Sequence, residues 1–506
     1  MKISPILGWN RVDPPHELDM SRGGECEASK LQNYIAYFKK ISKVGGTEAY
    51  NTTALPYSIP WHKRSYHKLG DGSFVKRTLC FSRGVIYYGD DTAKTLTSCQ
   101  AGFNQYAFPS DMTIQVSENS ILYFFDGDTT PYYYDGNGSY TFYKSTLDSD
   151  ITQGVVHLDR GFYLHKNSST VSYSGSLLPG TMEDEFIVGN DKDSVCVASV
   201  LGAEETLYIF KNNSIWQLYG RTPATFQVRQ ITNKYGLATR RAIYPVGSGF
   251  IFLDQFTKEL YFFGGSESSI YSLTEKKINL RDIIDTTADS INACCMTTHN
   301  GLFRFAFQHR EAPGDYNDSE LVYVLNNPRS DGLPKWSLIR GSNVVSYSTW
   351  NQQGDSGELV TGRSDTGKLM YHDRGWNWDS TNPIETIVRT AEITADEEFV
   401  VRFKGFFVKG KPGGHTLNSL FRYFLNGRYS LRGESSLNMK GETRLMGEIP
   451  ISQASLFNDR INPLSGYSRG NSIAFEIYDQ NNGRKMEVYS IAFRASKRYR
   501  IRNSYV

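Results

Sequence analysis

The residues that could do chemistry in this chain are its grouped acids, its histidines and a few glycine-rich runs. Asp90-Asp91, Asp126-Gly127-Asp128 and Glu183-Asp184-Glu185 have the pairing that glycoside hydrolysis requires, with one acid to protonate the leaving oxygen and a second to attack or to activate water. Each group sits where its neighbours predict a turn or loop, a setting in which Asp bends and caps the backbone. The nine histidines contain no H-E-x-x-H and no cluster with cysteine, so zinc or iron ligation lacks a sequence basis. His62 and His67 are the nearest pair and read as part of a solvated basic loop. Asp126-Gly127-Asp128 and Asp479-Gln480-Asn481-Asn482-Gly483 offer oxygen ligands for calcium, but neither continues to a bidentate Glu. Gly405 to Lys411 matches the start of a phosphate-binding loop, yet Pro412 stands where the magnesium-binding hydroxyl belongs and removes a cradling N–H. No catalytic, cofactor-binding or metal-ligating residue is assigned, and the chain reads as a non-enzyme that carries no cofactor.

Charge points to contacts instead. The net charge of +2 gives no global attraction to nucleic acid or membrane, so any charged partner must be met locally. Two basic places stand out. His62, Lys63 and Arg64, followed by His67 and Lys68, form one. Lys497, Arg498, Arg500 and Arg502, without a nearby acid, form the other. In a strand the three arginines share one face with Lys497 opposite, whereas in an extended tail all four can reach phosphates or acidic partner surfaces. Two polar loops, one carrying Arg310 and Asp315 and one carrying Lys411 and His415, are candidates to project into a lumen.

The six cysteines are scattered without a C-x-x-C, which reads as reduced thiols. No apolar h-region follows Met1, and no stretch reaches the length of a membrane span. Neither secretion nor membrane insertion is expected, and the sequons at Asn51, Asn137, Asn167, Asn212 and Asn317 carry no weight.

The elements that must position these residues are β-type. With 33 Tyr, 29 Phe and 45 Gly, the composition favours short strands and tight turns over long helices. Runs such as Val85 to Tyr88, Ile121 to Phe125, Gly161 to Leu164, Thr206 to Phe210, Gly249 to Leu253 and Gly301 to Phe305 recur roughly every 40 residues between Gly/Asp/Asn turns. Most are apolar on both faces, as inner strands require. Asp135-Gly136-Asn137-Gly138 between tyrosine runs predicts a tight hairpin. The expectation is an all-β chain: an extended N-terminal arm (1–69) in which Glu25 to Lys40 forms a short helix or strand, a β-propeller of about six or seven blades (70–380), and a C-terminal β-sandwich with a basic tail (381–506).

One stretch carries a resemblance. Ile209-Phe210-Lys211-Asn212-Asn213-Ser214-Ile215-Trp216-Gln217-Leu218-Tyr219-Gly220, Phe226-Gln227-Val228, Tyr235-Gly236-Leu237-Ala238-Thr239-Arg240, Val246 to Leu253 and Leu260 to Gly265 resemble the propeller core of tail nozzle and packaged-DNA stabilisation (head-closure) proteins of short-tailed, podovirus-type bacteriophages. Gly8 to Pro15 with Leu31-Gln32-Asn33-Tyr34 is similar to the arm before their first blade, Gly367 to Asp373 to their last blade, and Phe475 to Arg502 to their closing sandwich. The resemblance implies a virion tail component made in the host cytoplasm. It would form a homo-oligomeric, hexameric ring on the portal-adaptor protein, beside tail fibre or tail-tip proteins. It would retain packaged DNA, with only transient non-specific contact, and let it pass at ejection. The alternative is a tail-tip propeller that binds a host-receptor glycan, with Trp376 and Trp378 as its platform.

Overall fold

Alternating aromatic and small residues bounded by turns fold here as strands of four-stranded antiparallel sheets. The structure is a computed structural model that describes all residues except 1, 4–5, 10–25, 38–39, 70, 117–118, 191–193, 202–203, 312–316, 327–333, 351–356, 376, 380–381, 395–398, 412–418, 426–432, 437–456, 462–468, 471, 480–486 and 501–506. Seven such units follow one another: 61–101, 110–144, 151–187, 194–232, 243–272, 295–340, and 344–372 joined by Thr47–Ala49. The aromatic runs occupy their middles. Gly249–Leu253 and Leu302–Phe307 are buried at every residue, because a middle strand has neighbours on both edges and blades on both faces.

The units are the blades of a seven-bladed propeller. First strands pack against one another between blades 2 and 3, 3 and 4, 5 and 6, and 6 and 7, the second strand of blade 2 packs on the first of blade 1, and Val344–Trp350 of blade 7 meets Trp61–Lys68 of blade 1. Aromatic pairs seal the contacts: Trp61 with Phe124 at 5.1 Å and Tyr208 with Phe250 at 5.7 Å, both edge-to-face, a geometry favoured by the ring quadrupoles. The ring is closed by the N-terminal strand Thr47–Ala49, which pairs antiparallel with Leu369–His372 as the outer strand of blade 7.

The N-terminal region, expected to be an extended arm, is tied into the sheets. Its described part consists of strands, Cys26–Gln32 and Tyr34–Ala36 among them, rather than a helix. Cys26–Gln32 runs parallel to Ser337–Arg340, the outer strand of blade 6, and antiparallel to Thr386–Thr390 of the C-terminal domain. Blade 6 therefore continues as one sheet through Ser472–Asp479, Ser419–Leu425 and Gly433–Ser436. A second sheet pairs Tyr34–Ala36, Ile41–Lys43, Glu487–Arg500, Phe399–Lys411 and Phe457–Ile461, and Lys2–Ile3 pairs with the strand Glu487–Arg500. Both ends of the chain thus build the C-terminal sheets. Leu31, Tyr34, Val388, Phe421, Phe475 and Ile477 share a core with Phe303 and Trp336 of blade 6.

Other expectations shift as well. The propeller begins before residue 70, because Trp61–Lys68 is the first strand of blade 1. Glu183 to Glu185 lie within the strand Leu178–Ile187, not in a turn. Gly405 to Lys411 belong to the continuous strand Phe399–Lys411, whose extended backbone has no phosphate cradle. The Asp135 turn is wider than a two-residue hairpin, joining Tyr132–Tyr134 to Tyr143–Lys144.

Candidate functional site

A built concavity lies where the propeller axis meets one face. Connections between blades and the turns between second and third strands emerge there together. The cavity is about 410 Å³, lined among others by Asn104, Tyr106, Asp128, Lys166, Arg240 and Arg241.

Arg240 and Arg241 are set by the link between blades 4 and 5. Gly236 is required there, since a Cβ would lie 1.8 Å from the Asn212 carbonyl oxygen. Its N–H donates to Asp254 Oδ1 at 2.9 Å. Ala238 N donates to Leu253 O, and Ala242 N donates back to Thr239 O at 3.0 Å, forming a turn whose two central residues are the arginines. Arg241 reaches across the axis. It donates to the carbonyls of Asn292 and Ala293 before blade 6, to Pro60 before blade 1 and to Val345 in blade 7, and its guanidinium stacks 4.6 Å from the Phe108 ring before blade 2. The axial opening is therefore pinned by one side chain.

Arg240 donates through Nη2 to Phe108 O. Among the described residues, neither arginine forms an ion pair with a carboxylate. Desolvation, then the charge of Arg241, pushes the Arg240 guanidinium down to about 10, with Asp126 opposing; desolvation likewise lowers Arg241. The acids at the site are already engaged. Asp126 accepts from Asp128 N, Thr129 N and Thr129 Oγ1 and, through Oδ2, from Asn104 N at 2.8 Å. Asp128 Oδ1 accepts from Lys166 Nζ at 2.6 Å. The Asp126-Gly127-Asp128 run thus works as a turn cap and an ammonium partner, not as a calcium loop. Asp148, Asp150 and His165 bring three donor atoms within 4.8 Å of one another. The His165 ring contacts partners at both nitrogens, Nδ1 2.9 Å from Asp150 Oδ1 and Nε2 2.7 Å from Ser172 Oγ.

The basic places anticipated from sequence lie elsewhere. His62, Lys63 and Arg64 are in the inner strand of blade 1, not in a solvated loop, because their strand lies between blades 7 and 2. His62 is 4% exposed, between Ser346 Oγ (2.9 Å) and Val360 O (3.0 Å). Lys63 donates to Asp111 and to Thr113 Oγ1. Arg64 pairs with Asp91 and lies 3.9 Å over the Trp350 ring. His62 and Arg64 are buried, and the half-buried Lys63 is paired with a carboxylate. Lys497, Arg498 and Arg500 sit in the strand Glu487–Arg500, alongside Phe399 to Val401, while Arg502 lies outside the described residues. Arg310 is exposed in the turn after the second strand of blade 6, its backbone N–H donating to Ile283 O at 2.8 Å. Lys411 ends the strand Phe399–Lys411 rather than lying in a loop; Asp315, His415 and Trp376 lie outside the described residues. Trp378 is buried with Ile35 and Val44, so it offers no platform.

Sequence reasoning passed over Arg241 and treated Arg240 as the end of a pattern. The only signal was two adjacent like charges in an otherwise small-residue link, Ala238-Thr239-Arg240-Arg241-Ala242.

No family model and no curated protein matches the chain. Among solved structures it is similar to one described as the crystal structure of BBS1N in complex with ARL6DN, at 10% identity and a TM-score of 0.39, over 65% of this chain and 97% of that one.

Proposed function

We propose that this chain is a structural protein of a short-tailed bacteriophage virion: the tail nozzle that closes the portal-adaptor channel, retains packaged DNA and releases it at ejection. The observation that carries the reading is the placement of the nozzle-like stretch 209–265. It builds the third and fourth strands of blade 4 and most of blade 5 of a propeller whose own axis is pinned by Arg241 and whose flank bears sheets made from both chain ends. A propeller so closed is a wall block, and DNA would pass through the centre of a hexameric ring of copies. The proposed work is mechanical, without catalysis or cofactor.

Retention with release calls for weak, sequence-independent phosphate contacts. Lys497, Arg498 and Arg500, with Arg502 beyond them, are the proposed contacts to DNA or to an acidic partner, and Arg310 is the exposed loop residue offered to a neighbour. Native mass spectrometry of the chain mixed with the portal-adaptor complex tests this. Cooperative addition of a hexamer is expected; a chain that stays monomeric and unbound contradicts the reading.

A further inference from the structure

We propose that the axial cavity is a binding site for an acidic sugar, a hydroxyl-bearing ring that carries a carboxylate. This goes beyond the nozzle reading and does not depend on it.

The charge argument comes first. Arg240 and Arg241 are neighbours in one turn and lie in the same cavity, and each bonds carbonyls but no carboxylate. Two guanidiniums side by side in a partly dehydrated funnel repel one another, and an anion seated between them relieves that cost. Of the nearby acids, Asp126 caps its own turn and offsets the Arg240 charge only from a distance, and Asp128 holds Lys166.

The remaining lining decides the rest of the ligand. Tyr106 stands at the rim with 78% of its surface exposed, yet its backbone is fixed by the Asn104 Oδ1 acceptor at 2.9 Å. An exposed ring carried on an anchored backbone at the cavity rim offers a stacking surface for the C–H face of a sugar. The exposed amides Asn212 and Asn292 line the same cavity, and an amide offers both a donor and an acceptor to vicinal hydroxyls. The volume of about 410 Å³ lies within the range of small-molecule sites and is too small for a nucleic-acid strand. A sandwiched base would want apolar walls on both sides, and of the lining rings Tyr106 and Phe108 the latter is already covered by the Arg241 guanidinium.

The test is calorimetric titration and ligand-detected NMR on the full chain with glucuronate and N-acetylneuraminate. Glucose serves as the ring without charge, acetate as the charge without ring. At least one sugar acid is expected to bind about tenfold more tightly than either control, a ratio corresponding to one added charge-assisted contact. Arg240→Gln is expected to abolish the preference over glucose. Tyr106→Ala, at an exposed position that leaves the fold intact, is expected to weaken binding several-fold while the melting curve stays unchanged. Equal binding of acetate and sugar acids would reduce the site to an anion site and overturn the proposal, as would equal binding of glucose, no saturable binding, or a Tyr106→Ala chain that binds as tightly as the parent. If Arg240→Gln fails to fold, the Tyr106 variant and the two controls still decide.

Discussion

Arg304 in blade 6 donates through Nη2 to both carboxylate oxygens of Asp373, which follows the third strand of blade 7, at 2.8 Å each. Its Nη1 reaches Glu320 Oε2 and His372 Nε2, each at 3.0 Å. The guanidinium is fully buried, so it ties two blades together beside the strand that closes the ring. Removing it leaves buried acids without a counter-charge, and Arg304→Ala should cost about 3–5 kcal/mol, read by urea denaturation at neutral pH. Burial alone would raise the Asp373 carboxyl, but Arg304, then His372, hold it below the usual range. Its contribution is present above the unfolded carboxylate pKa and is lost as pH falls through the lower folded value. Asp373→Asn should therefore flatten the acid limb of the stability curve.

Buried histidines give a second pH dependence. Burial pushes His62 down to about 4, and it lowers His67 and His372 as well. Between the unfolded value near 6.5 and the lowered folded value, the unfolded chain binds protons that the folded chain does not. Stability therefore falls as pH drops through that window, by up to about 1.4 kcal/mol per unit for each group. Melting temperatures measured from pH 7.5 to 4.5 should fall throughout, and His62→Gln should make the fall shallower.

Ring closure can be probed at Asn51. This buried residue accepts from Leu369 N at 2.8 Å and donates to Thr53 O at 2.7 Å and Gly367 O at 3.1 Å, holding the closing segment against blade 7. Asn51→Ala should destabilise by about 2 kcal/mol through the unpaired buried backbone groups it leaves. Asn51→Asp should cost more, because a carboxylate would face two carbonyl oxygens. Chemical denaturation of the two variants checks the order.

The axial pin makes its own prediction. Arg241→Met keeps the length of the side chain but gives up charge-assisted bonds to several carbonyls around the axis, so a loss of about 2–3 kcal/mol is expected. Hydrogen exchange should then rise at amides next to Pro60, Ala293 and Val345, in three of the segments that the pin joins. Unchanged exchange there would show that packing alone holds the axis.

The blades were legible because a doubly covered strand writes itself as a run of apolar residues such as Gly249 to Leu253. The closure was not. Thr47–Ala49 is too short to carry a period, and its partner lies more than three hundred residues away in sequence. The same distance hid the pairing of Cys26–Gln32 with Thr386–Thr390, which made the segment read as an arm. His62 to Lys68 misled for a different reason. Polar residues in an inner strand satisfy one another across blades, as His62 does with Ser346, and charge count alone reads them as solvated. The cavity escaped because its residues come from links between blades and from turns between second and third strands, where no periodicity exists.

The most direct test of the nozzle reading is the DNA content of particles assembled by the phage when this gene is disrupted. The account predicts heads that package the genome and then lose it, restored when the intact chain is supplied. Full, stable particles that fail only to adsorb would contradict it and would place the chain at the receptor instead.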